Sequence, residues 1–211
     1  FPDEPELFTV DRQWLIGNDI LVTPVLTPGA TTVDGIFPGR GIFPGRGSVI
    51  WRDWYTHAVV NAASGGNTTL DAPISYINVH IRDNSALLLH QEPGYTIYET
   101  REGPYALLVS LNAAGTAFGT AYVDDGISFP PGPSRSLMFQ AAEGALKIES
   151  EGGYEIQQKL ETITVLGVQK PTQVTLQGGT IQEWTYEETI KELVVSNACV
   201  DLNGRVTLTW K

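Results

Sequence analysis

Apolar positions along this chain follow two different periods. Near the start, Leu7, Val10 and Trp14 are spaced by three and four residues, which predicts a short helix over residues 6–16 closed by Gly17. The run DILVTPVL, residues 19–26, then reads as a buried strand that Pro24 confines to an edge or a bulge. Beyond residue 17 helical spacing nearly disappears. Short β-branched and aromatic runs replace it, among them SYINVHI, YALLVSLN, ALKIES, TITVLGV, KELVVS and RVTLTW. Turn-forming clusters separate these runs: Pro28-Gly29, Pro38-Gly39, Ser64-Gly65-Gly66, Pro93-Gly94, Asp124-Asp125-Gly126, Pro131-Gly132, Gly152-Gly153 and Gly178-Gly179. Short strands with a turn roughly every 8–12 residues predict an all-β chain of antiparallel sandwiches. The polar stretch PGYTIYETREGP divides two strand groups near residue 100, leaving halves of about one sandwich each.

Composition narrows the function classes. The chain has 211 residues, 42% of them hydrophobic, enough for a packed core. Its net charge of −11 argues against nucleic acid and against anionic membrane surfaces as partners. No segment has the roughly 18 consecutive apolar residues of a membrane-spanning helix. Cys199 is the single cysteine, so no internal disulfide and no cysteine-based zinc site can form; its apolar setting predicts an inert, buried thiol at a strand end. The chain opens on Phe1, with neither an initiator Met nor a signal peptide, and is expected to be a processed product or a fragment.

Candidate chemistry is sparse. Asp124-Asp125-Gly126 is the densest acidic cluster and reads first as a tight turn, with a bound cation or catalysis as alternatives. Asp3, Glu4 and Glu6 suit the start of the predicted helix. His57, His80 and His90 lack metal-ligand spacing and read as structural histidines. No nucleophile elbow, phosphate loop or dinucleotide fingerprint occurs, and no cofactor or metal is expected. Asn67-Thr68-Thr69 is an N-glycosylation sequon beside the Ser64-Gly65-Gly66 turn. Trp51 and Trp54 cluster in the first half, and Trp184 and Tyr186 share a strand face in the second. These four are the candidate sugar platform, with packing into the core or against another domain as the competing reading.

Several segments, in order, carry a family resemblance. FPDEPELFTVDRQWLIGNDILVTPVLTPGATTVDGIFPG, VIWRDWYTH, NTTLDAPISYINVHIRDNSALLLHQEP, REGPYALLVSLNAAGTAFGTAYVDDGIS and ITVLGVQKPTQVTLQG resemble the barrel end and following domains of glycoside hydrolase family 31, the α-glucosidases. The resemblance implies the end of a catalytic barrel over residues 1–19, acting as a docking strip. It further implies a proximal C-terminal β-sandwich over 20–101 and a distal one over 102–211. Glycosidases need two carboxyl groups about 5 Å apart for retention or about 6.5–9.5 Å apart for inversion. In the resembling family these lie on the barrel, so none is carried onto this chain and no catalytic residue is assigned. The expected function is that of a secreted α-glucosidase's C-terminal portion, possibly a cleaved subunit, with the catalytic barrel as partner. A stand-alone, lectin-like carbohydrate-binding sandwich is the alternative.

The chain departs from the family pattern at Arg52, where Tyr is usual, at Asp83-Asn84 in place of Gly-Gly, and at Leu89-His90. Asp and Asn tolerate the left-handed conformation that Gly-Gly would supply. The hexapeptide Gly35–Arg40 is repeated as Gly41–Arg46. Two copies do not make a solenoid. They leave open a loop duplication, a small basic spot at Arg40 and Arg46, or a hexamer counted twice when the sequence was assembled.

Overall fold

A computed structural model describes residues 1–39, 48–62 and 66–211. The chain is almost wholly β and divides into two compact units, residues 1–83 and 84–211.

The first unit begins with a 3-10 turn, Pro5–Leu7, rather than the helix expected over 6–16. Trp14–Ile16 is instead strand β1, which turns at Gly17 (φ +61°) and pairs antiparallel with β2, Ile20–Thr23. Gly-Asn-Asp at 17–19 forms a hairpin turn here, and the apparent helical spacing is a by-product of a three-residue strand too short to alternate. Thr23 ends β2, so Pro24 terminates a central strand and needs no bulge. The remaining strands are β3 (Thr32–Ile36), β4 (Trp51–Asp53), β5 (Asn67–Asp71) and β6 (Asn78–Arg82). They form a sheet in the order β1-β2-β6-β4 and a separate β3-β5 ribbon. Gln13 imitates a strand partner for β3: its amide donates to Ile36 O at 2.7 Å and accepts from Ile36 N at 2.9 Å.

This unit's core is small. Leu21, Phe37 and Trp51 are buried, with Phe1, Val49, Val60 and Leu70 packed around them. The Trp51 indole donates to Pro38 O at 2.8 Å, so its one polar atom is satisfied inside the core. The first GIFPGR copy supplies the end of β3, the buried Phe37 and Gly39 at φ +83°. Gly39 O then accepts from Val49 N at 2.9 Å. Arg40 and the second copy, Gly41–Arg46, lie outside the described residues.

The second unit starts earlier than expected. β7 (Ser85–His90) pairs along its whole length with β8 (Tyr105–Ser110), which draws it out of the first unit and moves the division from near residue 100 to 83/84. The polar segment between them holds α1, Ile97–Glu102, capped by reciprocal hydrogen bonds between Thr96 and Glu99. Sequence reasoning missed this helix, and the Thr-x-x-Glu signature of a capping box is the signal that could have found it. Further strands are β9 (Ala117–Val123), β10 (Arg135–Ala142), β11 (Ala145–Gly152), β12 (Leu160–Leu166), β13 (Val174–Leu176), β14 (Gly179–Thr180), β15 (Trp184–Glu187), β16 (Glu192–Val195) and β17 (Val206–Trp210).

These strands make two layers, β14-β13-β17-β11-β10-β9 and β7-β8-β12-β16-β15, joined where Ser85 pairs with Phe118. Neighbours are antiparallel except β8 with β12, which run parallel, and that single β7-β9 pair. Strict alternation fills the space between layers. Leu137, Phe139 and Ala141 of β10 point inward while Ser136, Met138 and Gln140 point outward. Leu107, Val109, Ile163, Val165, Leu193 and Val195 meet them from the other layer. The buried aliphatic contact between the layers is the main source of stability here.

Candidate functional site

In the first unit, titratable side chains converge at the corner after β4. Asp53 Oδ1 accepts from Tyr55 N at 3.0 Å, Thr56 N at 2.7 Å and Thr56 Oγ1 at 2.8 Å, and Oδ2 accepts from the Tyr76 hydroxyl at 2.6 Å. Burial alone would raise its pKa, but these donors together hold the carboxyl below its usual range. The Tyr76 hydroxyl is pushed up by burial and by the same carboxylate. His80 pairs with Asp53 across β4 and β6 and is buried, its ring edge-on to Phe37 at 4.7 Å. Burial drives its pKa down to about 4, against the opposing pull of Asp53, so the imidazole is neutral near pH 7. With Val59, Val60 and Leu70 these groups line a concavity of about 490 Å³. A carboxylate with both oxygens engaged and a tyrosine committed to donating are suited to fixing a corner, and poorly suited to moving protons.

Acid should therefore destabilise this unit in a defined window. A His whose folded pKa is depressed binds protons in the unfolded chain first. The His80 contribution to stability then falls as pH drops from about 6.5 to about 4 and levels off below, a loss of about 3 kcal/mol. His80→Leu is expected to flatten that part of a urea-denaturation pH profile relative to the parent chain.

In the second unit a groove of about 450 Å³ runs beside α1. His90 from β7, Tyr98 and Arg101 from α1, Tyr122 from β9, Asp124 and Tyr154 line it. Asp124-Asp125-Gly126 forms the expected turn. Asp124 Oδ1 accepts from Gly126 N at 2.8 Å, while Asp125 Oδ1 accepts from Ile127 N and Ser128 N, each at 3.0 Å. The Ser128 hydroxyl donates to the other Asp125 oxygen, and these bonds pull that carboxyl down to about 2. Arg101 lies across the turn, 3.8 Å from Asp124 Oδ1 and donating to Asp125 O at 3.4 Å. Among the described residues no group of three or more His, Cys, Asp or Glu side chains is placed to hold a metal ion. No helix there is long and apolar enough to cross a membrane.

One member of the candidate sugar platform, Trp51, is corrected. Trp51 is fully buried and hydrogen-bonded in the core, because β4 is covered on both faces, as the burial of Arg52 next to it also records. Trp54 is half-buried. Trp184 and Tyr186 do share a face of β15, but it is the inner one: both pack on the core, and the Tyr186 hydroxyl donates to Val168 O at 3.0 Å. Asn67 is exposed at the start of β5, paired with Ile36. Asn84 takes φ +58°, the conformation expected of the residue replacing glycine.

Cys199 is exposed rather than buried, because it sits at φ +49° in the bend before Val200 rather than within a strand. Its thiol faces the Glu161 carboxylate at 3.5 Å, which raises its pKa by hydrogen bonding and by charge. Glu161→Gln should therefore speed alkylation of Cys199 by iodoacetamide several-fold at neutral pH, measured by intact mass against time.

Comparison with known proteins decides the family. Residues 1–87 match the family model "Glycosyl hydrolase family 31 C-terminal domain". An α-glucosidase of Schizosaccharomyces pombe is 39% identical over 197 residues, covering 93% of this chain and 20% of the relative. An α-glucosidase of Aspergillus niger is 41% identical over 198 residues, covering 92% and 20%. The chain belongs to the C-terminal region of glycoside hydrolase family 31. This family 31 chain spans about a fifth of the curated relatives it matches. Its fold is that of a glucosidase II α subunit solved with Glc1Man2, at TM-score 0.81 and 23% identity over 100% of this chain and 25% of that one. It also superposes on a family 31 dextranase of Flavobacterium johnsoniae complexed with glucose, at TM-score 0.73 and 20% identity over 100% and 28%.

Proposed function

We propose that this chain is the C-terminal β-sandwich portion of a secreted α-glucosidase that hydrolyses terminal α-linked glucose. In this reading it supports a catalytic barrel carrying both catalytic carboxylates outside these 211 residues. The observation that carries the reading is the coverage: α-glucosidases match more than nine-tenths of this chain, which spans only a fifth of them. Two further features support it. Asp125 spends its oxygens on its own turn, and Asp53 on its turn and on the distant Tyr76 hydroxyl, which suits neither to acid–base work. Phe8, Trp14 and Ile16 stand 71%, 51% and 56% exposed along the opening strip, as a docking surface for the barrel would. Asn67, exposed within its sequon, would carry an N-linked glycan in the secreted protein.

Native sizing of material from its source tests this. The chain should be recovered with, or within, a polypeptide assembly roughly five times its own length, given the fifth of each relative it covers. Its Asn67 peptide should lose mass on treatment with an N-glycanase. Recovery as a lone monomer that binds glycans without a catalytic partner would overturn the reading in favour of a lectin-like protein.

A further inference from the structure

We propose that the groove beside α1 is a binding site for a neutral oligosaccharide. Its volume of about 450 Å³ falls within the roughly 300–1,000 Å³ range of small-ligand sites. Apolar and polar groups interleave along it. Tyr98 and Tyr122 leave 69% and 61% of their surface to solvent, and Ile127, at 81%, adds an apolar lip. Large apolar surfaces left in water at a concave site favour a ligand that covers them. Hydrogen-bonding groups line it too: Arg101, Asp124 and Gln158. A pyranose has this same division, an apolar face of C–H groups bounded by a rim of hydroxyls that both donate and accept. Tyrosine supplies a flat ring for the first and a phenol for the second.

Charge selects a neutral ligand. The guanidinium of Arg101 is the groove's cation, and Asp124 sits 3.8 Å from it. Glu102 and Asp125 leave the lining net acidic, on a chain of net charge −11, which opposes phosphorylated or sialylated ligands. A guanidinium–carboxylate pair in partial solvent still offers unused N–H donors and oxygen lone pairs to hydroxyls. The walls are pre-formed as well. The Thr96–Glu99 capping box fixes α1, the Asp124 and Asp125 side chains lock their turn, and His90 stacks on Tyr105 at 5.1 Å within the lining. A pre-ordered site loses little entropy on binding. All of these residues belong to the second unit, so the proposal stands whether or not the barrel reading holds.

The test is titration of the intact chain with maltotriose, cellotriose and chitotriose, followed by heteronuclear NMR. At least one should give saturable shifts centred on residues 97–102 and 121–127. Tyr98→Ala and Tyr122→Ala should each weaken binding about tenfold, while Tyr98→Phe, which keeps the ring and loses only the phenol, should weaken it by less. Both tyrosines are mostly exposed, so the variants should fold with unchanged melting temperature. Phe118→Ala, on the same strand but outside the groove, should bind like the parent. Absence of saturable binding by all three sugars up to about 10 mM overturns the proposal. So does binding that both alanine variants leave intact, or tyrosine variants that instead lose a protein partner.

Discussion

Trp51→Ala is expected to unfold the first unit, at a loss of about 3–5 kcal/mol. Trp51 is one of three large buried side chains in that core and has no exposed surface. Removing it opens a cavity between Leu21 and Phe37 and leaves Pro38 O without its 2.8 Å donor. A domain this small has little stability to spare. The measurement is amide hydrogen exchange: protection in β2, β4 and β6 should collapse. Trp51→Phe should fare better, since it keeps most of the apolar volume and forfeits the hydrogen bond.

Gly119→Ala is expected to cost about 3 kcal/mol, at the upper end of overpacking effects. Gly119 lies in β9 beside β7, where the two layers of the second unit join. A Cβ there would fall 1.8 Å from Ala86 O and 2.8 Å from its carbonyl carbon. Those are backbone atoms and cannot rotate aside, so β9 and β7 must part. The denaturation midpoint should drop while Gly115→Ala, where a Cβ meets nothing, pays only for its φ of +74°.

Particular residues show where the sequence was legible. In β11 residues 146–149 alternate apolar and polar and were read as part of a strand, whereas β10, with Leu137-Met138-Phe139 in a row, alternates only in burial and was not picked out. Elements of three residues were not legible this way. β1 and β4 are too short to display a period: β1 was read as part of a helix, and for Trp51 of β4 the sequence left a sugar platform and core packing both open. Burial of β4 depends on Phe37 and His80, far away in sequence, and no local pattern reports that. The groove beside α1 escaped for the same reason. Tyr98 of α1, Tyr122 of β9 and Tyr154 of the loop after β11 are far apart in sequence and meet only in the folded unit. The turn at Asp124-Asp125-Gly126, in contrast, is made entirely by neighbours, and its residue types announced it.

The central claim is that hydrolytic chemistry resides outside this chain, and one assay addresses it directly. The purified 211-residue chain, verified as folded, is incubated with p-nitrophenyl α-glucoside and with maltose across pH 4–8. The account predicts no release of nitrophenol or glucose above the buffer rate. Saturable release proportional to chain concentration, and abolished by replacing one of its own carboxylates, would contradict it.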